Sequence, residues 1–374
     1  MMLAADANCC VAASTLASSS LSALRLFAMN DVRLTQFAHG GGCGCKISPA
    51  LLSQMLASIP PGLRPPQLLV GTEHADDAAA YRLNDQQTLI ATTDFFTPIV
   101  DDPFDFGRIA ATNALSDVYA MGGQPILALA ILGMPINKLP AEIIGRILEG
   151  GASVCRDAGI PVAGGHSIDT PEPIYGLVAL GLVAPEQLKT NARAQAGDSL
   201  ILSKPLGIGV LSAGLKQARL SDAAYAEMLR WTTLLNRAGA RLAQLPAVHA
   251  MTDVTGFGLA GHLLEICRAS KLAAKLDVDH LPVIHDALML AKEGVATGAS
   301  TRNLQSYGQQ LTLPANAPAW LTTLATDPQT SGGLLIACDP AAETEVLAAI
   351  HAEQEGEAQV IGRLETGTPR VTFG

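Results

Sequence analysis

Short apolar runs alternate with helical patterns along most of this 374-residue chain, and the alternation is met twice. Residues 88–93 are apolar and β-branched, and 126–132 and 174–183 are apolar runs of strand length. Between them, 103–121 opens on Asp102-Pro103 and stops at Gly122-Gly123, and 141–158 carries a second helical pattern. Residues 185–197 are polar and rich in turn formers. The pattern then restarts with a strand at 198–203, the loop Lys204 to Gly209, two helices over 213–243 and a strand ending at Asp253. A helix over 259–269, a strand at 334–337, a helix near 341–353 and a strand near Val360 complete it. Two such halves predict an α/β or α+β chain of two domains. The expected divisions are 1–28, 29–60, 61–190 and 191–374.

Composition narrows the function. Hydrophobic residues make up 49% and charged ones 16%, so the chain buries sizeable cores. Aromatics are 4%, which leaves Ala, Leu, Val and Ile to fill the layers. No apolar run reaches the roughly 18 residues that cross a membrane. The formal charge of −10 disfavours nucleic acid as a partner, because backbone binding needs a basic surface. An acidic protein that handles phosphates needs metal ions to bridge like charges. The seven cysteines contain no Cys-x-x-Cys pair and are odd in number, which argues against a disulfide scaffold and for a reducing cytoplasm. Residues 1–28 are rich in Ala and Ser, with Asp6 ahead of the single basic Arg25. They read as a disordered extension rather than a secretory signal, with Met29 as an alternative start.

The most unusual stretch is His39-Gly-Gly-Gly-Cys43-Gly-Cys45-Lys46-Ile-Ser48-Pro49. Such a glycine run suits a mobile loop, or one that brings backbone close to a ligand. A cation beside a thiol favours the thiolate. The alternative is a flexible surface tether. Ser48 and Pro49 then open a short helix to about residue 57, followed by a Pro-rich linker over 60–66.

Four aspartates are placed to act. Asp77 lies in the polar turn Glu73-His74-Ala75-Asp76-Asp77-Ala78. Asp94 sits at a strand's C-terminal end, where open α/β sheets bind ligands. Asp117 shares a helix face with Asn113. Asp253 stands between a strand and a Gly-rich helix start. Hard oxygens of this kind suit Mg²⁺ and phosphate, although aspartates also end strands and cap helices without further function. Gly164-Gly165-His166-Ser167 reads as a turn whose N–H groups can face phosphate, and Thr301-Arg302-Asn303 as a polar loop. G-x-x-x-x-G-K-[ST], G-x-G-x-x-G and G-x-S-x-G are all missing, so a nucleotide here would be held through carboxylates and metal.

These residues together resemble the selenophosphate synthetases. The likeness runs through the 39–49 loop, Asp76-Asp77-Ala78, Thr92-Thr93-Asp94-Phe95-Phe96, Phe104-Asp105-Phe106-Gly107-Arg108 and Asn113-Ala114-Leu115-Ser116-Asp117. It continues through Ala163-Gly-Gly-His166-Ser167, Lys204-Pro205-Leu206-Gly-Ile-Gly209, Thr252-Asp253-Val-Thr-Gly-Phe-Gly258 and Asp327-Pro-Gln-Thr-Ser-Gly-Gly333, from about Arg33 to the C-terminus.

The resemblance implies the two-domain fold of aminoimidazole ribonucleotide synthetase, in a homodimer whose N-terminal sheets form a barrel. It implies conversion of ATP, selenide and water to selenophosphate, orthophosphate and AMP, supplying selenium for selenocysteine and selenouridine. More than one Mg²⁺ and a monovalent cation such as K⁺ are expected, with a selenium-delivery protein as a further partner. Cys43 and Lys46 fall on the catalytic positions, and Asp77, Asp117 and Asp253 on the metal ligands. Lys46, His74, Ala75, Asp76, Asp94, Asp117, Gly165, His166 and Ser167 fall on positions that contact ATP. The alternatives are another ATP-using enzyme of this fold, such as a ribonucleotide synthetase or thiamine-phosphate kinase, or a thiol-based selenium carrier.

Overall fold

The structure is a computed structural model that describes residues 32–47, 49–58, 62–353 and 357–374. The 1–28 extension, Met29, the expected cap Ser48 and Pro60-Pro61 lie outside the described residues.

The first half builds a six-stranded sheet from β1 (Leu68–Val70), β2 (Ala79–Arg82), β3 (Thr88–Phe96), β4 (Gln124–Met134), β5 (Val162–Asp169) and β6 (Ile174–Val183), in the order β1-β2-β3-β6-β4-β5. Only the β4–β5 pair is parallel. After the short α1 (Pro49–Ala57), the helices α2 (Pro103–Ala120) and α3 (Ala141–Asp157) complete this half. Asp102 caps α2 by accepting from the Asp105 N–H, with Pro103 at the first turn. Along β3, Thr88, Ile90, Asp94 and Phe96 are buried while Thr93 and Phe95 are exposed, the period of two expected of a strand with one covered face. Phe106 of α2 packs between Phe96 and Tyr175, with ring centroids 6.2 and 6.3 Å away. The helices meet where side chains are absent. A Cβ on Gly107 would lie 1.9 Å from the Ile147 carbonyl oxygen, and one on Gly150 2.0 Å from that of Phe104.

The second half builds a seven-stranded sheet from β7 (Ser199–Leu202), β8 (Val248–Asp253), β9 (Leu272–Leu276), β10 (Leu311–Thr312), β11 (Leu334–Cys338), β12 (Gln359–Thr366) and β13 (Val371–Phe373), in the order β10-β13-β9-β12-β7-β11-β8. β10, β13 and β9 run parallel, and the other pairs are antiparallel. Its helices are α4 (Ile208–Lys216), α5 (Asp222–Thr232), α6 (Ala238–Leu242), α7 (Gly258–Ser270), α8 (His285–Lys292), α9 (Gly298–Tyr307), α10 (Ala319–Thr326) and α11 (Glu343–His351). Two apolar layers flank this sheet. One is built with Leu259 and Leu263 of α7 and Leu321 of α10, the other with Leu242 of α6 and Val346 and Ile350 of α11. β11 is therefore buried at all five residues, which is why it reads as an unbroken apolar run. Both sheets mix strand directions, so the class is α+β within the α/β expectation, and neither closes into a barrel among the described residues.

Four local expectations are corrected. β3 does not end at Asp94, because β6 pairs with it as far as Phe96↔Tyr175; Asp94 is an interior residue of the covered face. Residues 164–167 are not a turn: β5 runs through them, paired with β4 at Gly165↔Ala130, His166↔Ile131 and Ser167↔Leu132. Glycine is required at 165 by its φ of 154° and by the Ala130 carbonyl oxygen, 2.1 Å from where a Cβ would stand. Three helices, not two, occupy 208–242. Thr301-Arg302-Asn303 lies inside α9, which Thr297 caps through the Ser300 N–H. No helix among the described residues is long and apolar enough to cross a membrane.

Candidate active site

β3, α2, β8 and two loops, 41–47 and 327–333, converge on one buried polar cluster. The glycine-rich loop forms a 3₁₀ turn, Gly42–Cys45, seated against the fold. The Gly42 N–H donates to the Thr97 carbonyl at 2.9 Å, and the Cys43 N–H to Thr330 Oγ1 at 3.0 Å. Only glycine fits at 42, where φ is 53° and a Cβ would meet Thr330 Oγ1 at 2.3 Å. The turn carries Cys43 into full burial. Its thiol donates to Asn113 Oδ1 at 3.2 Å, an oxygen that also accepts the Ser331 N–H at 2.8 Å. Asn113 Nδ2 donates to Asp94 Oδ2 at 2.8 Å, and Lys46 Nζ reaches the same oxygen at 2.8 Å. Thiol, amide, carboxylate and ammonium thus form one chain from Cys43 to Lys46.

Beside it lie the remaining carboxylates. Thr92 Oγ1 donates to Asp117 Oδ2 at 2.5 Å, one helical turn beyond Asn113. Ser116 Oγ donates to Asp253 Oδ2 at 2.5 Å and accepts from Asn236 Nδ2 at 2.8 Å. Thr252 Oγ1 donates to Asp77 Oδ1 at 2.6 Å, so the 73–78 turn of the first half is tied to β8 of the second. The same turn is held by the Asn191 N–H, which donates to Asp76 Oδ1 at 2.7 Å, and by Asn191 Nδ2, which donates to the Ala75 carbonyl at 3.1 Å.

Burial and mutual repulsion dominate the electrostatics. Burial, with the Asp253 and Asp117 carboxylates nearby, holds Asp77 well above the usual carboxylate range. Burial, with Asp253 and Asp94 nearby, does the same to Asp117. Burial raises Asp253 despite the hydrogen bond from Ser116. Burial works against the Lys46 ammonium, but Asp94 and its neighbours outweigh it and hold Lys46 well above its ordinary value. The expectation that Lys46 keeps Cys43 as a thiolate is not met here. Burial raises the thiol well above its ordinary value, more strongly than Lys46 lowers it, and the hydrogen bond to Asn113 is that of a protonated thiol. Behind the cluster, Lys204 is a buried cation site. Its Nζ donates to the Leu234 and Ser331 carbonyls at 2.6 and 2.9 Å, and burial pulls its pKa down to about 7.

The acids fit a hard cation. Asp77 Oδ2 is buried with no hydrogen-bond partner, an acceptor that an ion would satisfy. Among the described residues, no three acidic, His or Cys side chains form a group able to hold an ion by themselves, so ligands from outside the protein would have to complete the coordination.

Of the residues expected from sequence, Cys43, Lys46, Asp94, Asp117, Asp253 and Asp77 come together. His74, Ala75 and Asp76 border them in the 73–78 turn, where Ala75 adopts a φ of 51°. Gly165, His166 and Ser167 do not join them. They lie exposed on β5, at the sheet edge, with β6 and β4 between it and β3. Sequence reasoning missed Asn236 and gave no role to the neutral partners Thr92, Ser116, Thr252 and Thr330, which it quoted only within motifs, nor to Asn113 beyond its shared face with Asp117. Several lie beside an expected aspartate in sequence, but the contacts of Asn236 and Thr330 span 120 and 287 residues.

Comparison with known proteins agrees with this architecture. The family models for AIR synthase related proteins match, the N-terminal domain over residues 75–183 and the C-terminal domain over 195–373. A selenide, water dikinase of Paraburkholderia xenovorans is 61% identical over 339 residues, covering 91% of this chain and 96% of the relative. In fold, the thiamine-monophosphate kinase of Stenotrophomonas maltophilia superposes with a TM-score of 0.61 at 24% identity, over 87% of this chain and 95% of its own. The hydrogenase maturation protein HypE in complex with ATP gives 0.60 at 19% identity, over 92% and 89%.

Proposed function

From the premise that this chain belongs to the selenide, water dikinase family and makes selenophosphate from ATP, selenide and water, we propose that the reaction runs where the Gly42–Cys45 turn covers the aspartate cluster. The observation that carries this reading is the continuous chain Cys43–Asn113–Asp94–Lys46 beside Asp117, Asp253 and Asp77. Asp77, Asp117 and Asp253 would hold Mg²⁺, more than one ion, with phosphate oxygens completing the coordination. Bound there, Mg²⁺ neutralises the triphosphate and polarises the phosphoryl groups.

Lys46 places a cation beside the phosphoryl group in transfer, and Asp94 and Asn113 hold that ammonium and the Cys43 thiol in fixed relation. Cys43 orients selenium and carries no phosphate. The turn, closed as here, keeps bulk water from ATP, and its glycines let it open for substrate. The 73–78 turn, with His74, Ala75 and Asp76, lies on the nucleotide side of the cluster.

Gly165, His166 and Ser167 would reach a nucleotide from an exposed edge, so we place their contribution across a homodimer. Its support is the uncovered face of the first sheet, where Tyr81, Phe95, Ile126, Val162 and Ile168 are exposed. Two such sheets would close the barrel expected from sequence. K⁺ as a monovalent cofactor, a selenium-delivery partner and a cytoplasmic location, where the free Cys43 and Cys45 stay reduced, complete the proposal. So do the divisions at 29–60, 61–190 and 191–374.

Product identity tests the reading against the other enzymes of this fold. Anaerobic turnover with ATP and sodium selenide gives AMP, orthophosphate and selenophosphate by ³¹P NMR, with AMP dependent on selenide. Accumulation of ADP as end product would contradict it, and a selenium carrier would consume no ATP.

A further inference from the structure

The seated glycine-rich turn has a second side. Opposite the aspartates, it walls a cavity of about 550 Å³ between α4 and the start of α9. The chain as a whole is acidic, with 34 acidic against 24 basic residues, yet among the described residues no carboxylate lines this cavity. Lys46, Lys216 and Arg302 do. Lys216 Nζ donates to the Gly40 carbonyl at 3.1 Å, and Arg302 Nη2 to the Gly44 carbonyl at 2.9 Å. Each cation is thereby fixed at the wall with N–H donors to spare. Outside the lining, Asp94 pairs with Lys46 and Glu172 with the lining His39, each at 2.8 Å, and Asp101 and Glu172 lie within electrostatic reach of Lys216. Half-buried Cys45 also lines the cavity, as does exposed Ala296.

Two residues connect the cavity to the site. Lys46 lines it and pairs with Asp94, and Thr330 lines it and holds the Cys43 N–H. A cationic cavity that ends on the catalytic turn fits a small anion on its way to Cys43 and Lys46. Hydrogen selenide is such an anion, since H₂Se is a far stronger acid than a thiol and is a monoanion at neutral pH. The triphosphate with its metals belongs on the opposite, carboxylate-lined side. We propose that this cavity is the port through which the hydrogen selenide anion reaches the site. The proposal rests on the placement of the reaction at Cys43 and Lys46.

Ala296 allows a test that removes no contact to the turn. Ala296→Glu puts a carboxylate in the cationic lining, and Ala296→Gln adds the same bulk without charge. In steady-state assays with sodium selenide and ATP varied separately, A296E raises the selenide KM about five-fold, the effect of one added charge at close range in a solvated site, with the ATP KM within two-fold of wild type. A296Q changes neither. In an independent readout, mass spectrometry of the Cys45 peptide shows the alkylation rate with iodoacetate falling relative to neutral iodoacetamide in A296E. Equal selenide KM values for A296E and A296Q would overturn the proposal. So would a matching rise in the ATP KM, which would make the cavity a nucleotide subsite. Weaker product inhibition by orthophosphate at unchanged selenide KM would overturn it too, marking a phosphate exit. Failure of the underlying site assignment shows separately, as full activity in Lys46→Ala.

Discussion

Lys46→Ala lowers selenophosphate formation at least about 10²–10³-fold in kcat, the cost of removing a charged donor aimed at developing charge. Lys46 Nζ lies 2.8 Å from Asp94 Oδ2, and no other Lys or Arg Nζ or guanidinium is paired to Asp94 among the described residues. Stability responds less. Asp94 keeps its hydrogen bond from Asn113, and the Lys46 side chain is 33% exposed, which dilutes its pairing energy by solvent screening. Cooperative unfolding persists, with Tm lower by no more than about 5 °C. Full activity in the variant, measured as selenide-dependent AMP release, would remove Lys46 from the mechanism.

Asp253 gives opposite signs in activity and stability. Asp253→Ala raises the KM for Mg²⁺–ATP about 10²-fold, since losing even a residue that supports a metal ligand costs 10–100-fold in affinity. In the metal-free protein the same carboxylate is a burden. Burial raises its folded pKa above 3.8, so its ionisation is harder in the fold than in the unfolded chain. That destabilisation is absent below 3.8 and grows as pH rises through the raised value. Asp253→Asn, which can still accept from Ser116, therefore melts above wild type without metal. The difference is near zero below 3.8, widens as pH rises to the raised folded value and is constant above it, as read by calorimetry in chelator. A variant less stable than wild type at neutral pH would show that Asp253 stabilises the fold through its contacts. An unchanged KM for Mg²⁺–ATP in Asp253→Ala would remove Asp253 from the metal site.

Sequence made the architecture legible where an element carries its own signal. α2 announced itself by Asp102-Pro103 and Gly122-Gly123, and β11 by an apolar run buried on both sides. It failed where partners are distant. Nothing near Asp94 says that β6 continues the ladder to Phe96, and nothing near Gly164-Gly165 says that they lie in a strand and not a turn, because the reason is the backbone of Ala130. Short pieces such as β2, β10 and β13 carry too few residues to show a period. The site was legible as charged residues and glycines. Its neutral scaffold was not, since Asn113 becomes the centre of the cluster only when residues 43, 94 and 331 are brought to it. The state of Cys43 was misjudged for a related reason: Lys46 is visible in the sequence, and the depth of burial that outweighs it is not.

The proposed mechanism needs one junction, with metal-bound phosphates on the aspartates and the glycine-rich turn closed over them. A crystal structure with Mg²⁺ and a non-hydrolysable ATP analogue tests it most directly. The expected result is Mg²⁺ between the phosphates and Asp77, Asp117 and Asp253, with Lys46 Nζ turned to the terminal phosphates and Cys43 beside them. Phosphates bound away from this cluster, or ions that leave these three aspartates unligated, would contradict it.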